Sequence, residues 1–204
     1  CLRWRSGITC FEPMKVTGNP KFRILARSRN LGLGVLPDLE PRISDFTLWQ
    51  LVDSAFPTGG FAHSAGLEAA WQHGEIKNRT ELISFVEAGV HQLGHTALPF
   101  VIAAHAEPER LEEFDALCDA FTTNHVANRA SRAQGKAFLS AVQRIFAAGL
   151  EMPVLPFNHF PGVFAVAMKA LDVPGETAKR LFFFNHLRGV MAAAVRLNIV
   201  GPMD

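Results

Sequence analysis

His91 and His95, four residues apart with Glu87 one turn earlier, are the residues whose types and spacing point most directly to chemistry. On a helix such a pair shares one face, and two imidazoles so placed can hold a divalent metal. The intervening sequence, HQLGH, lacks the glutamate that serves as general base in H-E-x-x-H proteases, and no spacing assigns a third ligand. Solvated or structural histidines are the expected outcome. A helical metal-binding enzyme using His91 and His95 is the alternative. The other histidines, His63, His73, His105, His125, His159 and His186, are scattered.

A second candidate is the stretch Asp53–Glu68, DSAFPTGGFAHSAGLE. Gly59 and Gly60 beside Pro57 demand unusual backbone angles, as in a turn between helices. The P-loop pattern is absent, so no nucleotide pocket of that type is expected. A third is NRASRAQGK, in which Arg129, Arg132 and Lys136 form a helical stripe. A charged stripe is usually a solvated face; this one would also suit docking to an acidic partner surface. Ala130, Ala133 and Gly135 would let another helix come close. No G-x-S-x-G elbow and no suggestive cysteine motif appears, and Glu112–Glu113 lies on an exposed-looking helix. The expectation is a protein without catalytic residues.

The elements that must position these residues are helices. At 204 residues, 49% apolar and 19% charged, the chain suits one globular domain with a sizeable core. A net charge of +1 argues against nucleic-acid binding. Residues 1–35 hold seven basic side chains and one acid, leaving a net of −5 on the rest. Residues 1–41, rich in proline and glycine without periodicity, read as a mobile basic tail; an organelle transit segment is the minor reading. Cys1, Cys10 and Cys118 make neither a disulfide framework nor a paired metal spacing, which suggests a reducing, cytoplasmic setting. The apolar stretch Leu181–Val200 is interrupted by Asn185, His186, Arg188, Arg196 and Asn198, so it reads as a core or interface helix and not a membrane span.

From Ser44 onward, caps and apolar spacing predict one helix after another. The first runs from Ser44 or Asp45 to about Ala55, the second over His63–His73, closed by Gly74. Thr80 caps a third, which Pro99 interrupts. Pro108 opens a helix with the stripe Leu111, Phe114, Leu117, Cys118 and Phe121. Further helices follow over His125–Ala148, Pro161–Leu171 and Glu176–Ile199, with a loop at Met152–Phe157. No segment alternates like a strand. The fold class is all-α, a single bundle-like domain of about seven to eight helices over residues 42–204.

Three segments in order, Leu48–Ala70, Asn128–Leu139 and Leu187–Asp204, resemble the family of urease accessory protein F (UreF). The resemblance spans about Ser44–Asp204. It implies an all-α, homodimeric, non-enzymatic adaptor or chaperone of metallocentre assembly. Such an adaptor would bridge accessory protein D (also called H) and the GTPase accessory protein G, and would act on apo-urease. Nickel would be handled by the complex, with no cofactor bound stably by this chain and no membrane partner. The matching residues are Asp53, Ser54, Pro57, Gly59, Gly60, Phe61, His63, Ser64, Gly66 and Glu68; then Asn128, Arg129, Ser131, Arg132 and Gly135; then Arg196, Leu197, Gly201 and Pro202. Within them, Ser64 is expected to cap the second helix, and Asp53 or Glu68 to pair with an arginine of the second segment. Family members continue past the position of Asp204, so the domain is expected to be C-terminally truncated.

Overall fold

The computed structural model describes residues 45–53, 56–58, 63–146 and 152–201. They form α1 (Asp45–Val52), α2 (Leu67–Gln72), α3 (Arg79–Thr96), α4 (Leu98–Ala106), α5 (Leu111–Phe121), α6 (His125–Ile145), α7 (Phe160–Ala170) and α8 (Gly175–Arg196). No strand occurs among the described residues, in line with the all-α expectation. The expected tail at 1–41 lies outside them.

The middle of the molecule is α7. Every residue from Phe160 to Met168 is buried, so this helix is apolar all round and must be enclosed by others. Helices α4, α5, α6 and α8 pack against it. Phe138 of α6, Phe160 and Phe164 of α7 and Phe182 of α8 form a ring cluster with centroids 5.5–5.9 Å apart. Each such pair contributes about 0.5–1.5 kcal/mol beyond area burial. A second, smaller core of Leu67, Ala70, Ile76, Leu82, Val190, Ala193 and Ala194 ties α2 and α3 to the C-terminal half of α8.

Several boundaries differ from those read in the sequence, for local reasons. Helix α1 ends at Val52, with a bend at Asp53. Helix α2 starts only at Leu67, because Ala65 (φ 50°) and Gly66 (φ 91°) are left-handed and cannot continue a helix. The Ser64 hydroxyl does reach its first turn, accepting from the Glu68 N–H at 3.4 Å. Asn78, not Thr80, caps α3: its side chain accepts from Glu81 N–H at 3.0 Å, and Glu81 accepts from Lys77 N–H. Pro99 acts as expected, since α3 breaks at Ala97 and α4 begins with the proline in its first turn. A 3₁₀ turn at Pro108–Arg110 leads into α5. On α5, Leu111, Phe114 and Cys118 are buried, whereas Leu117 and Phe121 face outward and Asp115 takes an interior place.

Candidate functional site

The densest polar arrangement lies where α5 and α6 meet the loop before α7. Asp115, 1% exposed, accepts three successive backbone N–H bonds: Phe157 at 2.9 Å, Asn158 at 3.0 Å and His159 at 2.6 Å. Three neighbouring donors converge on one carboxylate because Asn158 is left-handed (φ 63°), the geometry of a backbone nest. The carboxylate therefore sits just before the first turn of α7, where the helix dipole favours negative charge.

His159, wholly enclosed, continues this network. Its Nδ1 lies 3.1 Å from Ser131 Oγ and its Nε2 lies 3.1 Å from Asp119 Oδ1. Ser131 Oγ accepts from Phe160 N–H at 3.2 Å, and Asn128 Nδ2 donates to Asp119 Oδ1 at 2.8 Å. These bonds to Asn128, and next to His159, hold the Asp119 carboxyl below its ordinary value of 3.8. Arg132 completes the group, 4.0 Å from Asp119 and stacked 5.1 Å above the Phe157 ring.

Serine, histidine and aspartate thus stand in sequence, as in a hydrolase triad. The roles differ. The imidazole is sealed under the loop, and the Ser131 hydroxyl already accepts a backbone N–H. With the ring proton on Nε2, the chain Phe160 N–H to Ser131, Ser131 O–H to His159 and His159 N–H to Asp119 closes on itself. It is a clip that joins α5, α6 and the entry to α7.

Gly135 shows how tight the clip is. A Cβ there would lie 1.9 Å from the Asn158 carbonyl oxygen. Asn128, Ser131 and Gly135 fall on one face of α6: Asn128 is bonded to the end of α5, while Ser131 and Gly135 meet the loop and the start of α7. The small residues expected to admit a partner helix thus include one that admits the chain's own backbone. Arg129 and Lys136 point outward. The carboxylate beside Arg132 is Asp119, in place of the expected Asp53 or Glu68. Asp53 instead acts on Arg188 of α8, opposing the burial that lowers the Arg188 pKa. Arg188 Nη2 donates to Asn185 at 3.0 Å, while Nη1 is enclosed without an acceptor.

The remaining motif residues lie on α2, on the end of α8 and on the segments flanking them. Asp53, Pro57, His63, Gly66, Glu68 and Arg196 are exposed, whereas Ser64, Leu197 and Gly201 are half-buried. Ser54, Gly59, Gly60, Phe61 and Pro202 lie outside the described residues. His91, His95 and Glu87 are exposed on α3, and among the described residues no group of three or more His, Cys, Asp or Glu gathers to hold a metal. No helix among them is long and apolar enough to cross a membrane. Asp115, Asp119, His159 and Arg188 were not singled out in the sequence. The one available signal was the aspartate at position 115, inside the apolar spacing of α5.

With this geometry in place, similarity decides the lineage. The UreF family model matches residues 76–204. The chain belongs to the UreF family. It is 38% identical over 167 residues to urease accessory protein F of Oryza sativa subsp. indica, covering 76% of this chain and 64% of that protein. It is 39% identical over 170 residues to the Arabidopsis thaliana protein of the same name, covering 76% and 69%. Urease accessory protein UreF of Mycobacterium sp. (strain JLS) is 31% identical over 159 residues, covering 78% and 75%. The match thus spans under two thirds of the rice UreF protein. The family model begins at Ile76 and so includes the clip, both halves of which lie on UreF-matched sequence.

Proposed function

We propose that this UreF-family chain is an adaptor in urease maturation. In this reading it works as a homodimer in the cytoplasm. It bridges accessory protein D (or H) and the GTPase accessory protein G, so that nickel enters apo-urease. Nickel is cargo of the assembly, and the nucleotide belongs to the GTPase.

The observation that carries the reading is the family match with relatives named urease accessory proteins. The structure supports it in two ways. The polar side chains of the Asn128–Gly135 segment hold the fold together, as a scaffold requires. In addition, α8 turns Phe184, Met191 and Val195 outward, 51%, 43% and 41% exposed, on the side opposite its buried residues. An apolar stripe of that kind suits protein contact. The outward motif members His63, Glu68 and Arg196 are proposed to face partners as well.

Size-exclusion chromatography with light scattering, on the chain mixed with accessory proteins D (or H) and G from the same source, tests this. Co-elution of all three is expected. A folded chain that elutes alone in every mixture would overturn the adaptor reading.

A further inference from the structure

Helix α6 carries four cations, Arg129, Arg132, Lys136 and Arg144, and no acid over its 21 residues. The structure separates them. Arg132 leans on Asp119 and Phe157, whereas Arg129, Lys136 and Arg144 are exposed and have no ion pair among the described residues. By contrast, Arg110 is paired within its own turn with Glu107 and Glu113, and Lys179 with Glu176. The α6 row places three exposed cations on a helix that has no carboxylate of its own.

The row has a regular form. Arg129, Ala133, Lys136, Ser140 and Arg144 recur at intervals of three and four, so they lie along one line on the helix. Successive cations stand about 10.5 Å and about 12 Å apart along the axis. Between them are only Ala133 and Ser140, both exposed and small, which would let a second helix approach to about 8–10 Å. Little in the fold calls for this charge. The macrodipole favours cations only in the last turn, which accounts for Arg144 but not for Arg129 or Lys136. The opposite face of α6 is pinned through Asn128, Ser131, Gly135 and Phe138, so the row is held on a rigid support.

We propose that this row is a docking surface for a helix of another protein that carries carboxylates at intervals of seven to eight residues. Three cations along one line meet three such carboxylates, with the small residues of each helix seated between them. A symmetric contact between the α6 helices of two copies is a poor match, because neither offers a carboxylate. The inference rests on the adaptor reading and names the chemistry by which one maturation partner is held.

The test compares wild type with R129Q/K136Q/R144Q, and with R129Q and K136Q singly. Equilibrium binding to accessory protein D (or H), to accessory protein G and to apo-urease is measured separately, at low and high NaCl, with circular dichroism confirming helicity. The triple variant is expected to bind one of the three at least about tenfold more weakly at low salt, each single variant a part of that. The difference should vanish near about 1 M NaCl, where the Debye length is about 3 Å. Folded variants that bind all three as wild type does overturn the docking surface and leave the adaptor standing. Wild type that binds none overturns both. A wild-type dimer that the triple variant dissociates, with partner binding unchanged, makes a second copy the occupant and overturns the proposal.

Discussion

Replacing Gly135 with alanine tests the clip at its tightest point. The new Cβ would stand 1.9 Å from the Asn158 carbonyl oxygen, and ordinary contact begins near 3.4 Å, so backbone must retreat by about 1.5 Å. The loop that has to move is held by the three bonds to Asp115 at 2.6–3.0 Å. A shift of that size breaks one or two of them, and hydrogen bonds to a charged group contribute about 1.5–3 kcal/mol each. Alanine returns about 1 kcal/mol of helix propensity. The net expectation is a loss of about 2–4 kcal/mol, read as a urea midpoint shift, or a fall in Tm of about 5–15 °C for a domain of this size. Gly189→Ala on α8 is the control, since its Cβ meets nothing within 4 Å. It should stabilise by about 0.5–1 kcal/mol. If Gly135→Ala is as harmless as Gly189→Ala, the clip does not hold the loop as described.

Three further outcomes follow from the same geometry. Asp115→Asn puts an amide, itself partly a donor, before three N–H groups, and should cost about 2–4 kcal/mol in chemical denaturation. Because Asp119 is held below its ordinary 3.8, its contribution is present above that value and lost as pH falls through the lower folded pKa. The stability gap between wild type and Asp119→Asn should therefore close in acid titration below about pH 4. Burial pushes the Cys118 thiol up to about 11. In a C1S/C10S background it should resist alkylation at pH 8 while folded and react once unfolded in urea.

Much of the fold was legible because helix signals are local. Ser, Asp or Pro near helix starts, glycine after helix ends and a 3.6-residue apolar period placed the described helices to within about four residues, although the cap of α3 is Asn78 and not the expected Thr80. What was not legible is long-range. Asp115 bonds a loop 42 to 44 residues away, and His159 reaches back to Ser131 and Asp119, which no local spacing reveals. The errors had the same origin. Leu117 and Phe121 fit the stripe of α5 by period, yet tertiary packing turned them outward. Ala65 fits a helix by propensity, yet its backbone is left-handed beside Gly66. The motif residues of α6 were recognised as a group, but their division into an inward set, Asn128, Ser131 and Gly135, and an outward Arg129 needed the structure.

The most direct test of the account is the nickel content of urease matured with and without this chain. Apo-urease would be incubated with accessory proteins D (or H) and G, GTP and nickel, and the bound metal counted after desalting, alongside urease activity. The adaptor account predicts that nickel incorporation and activity rise when the chain is added, and fall back with Gly135→Ala in step with the lost fold. Equal nickel and activity with and without the chain would contradict it.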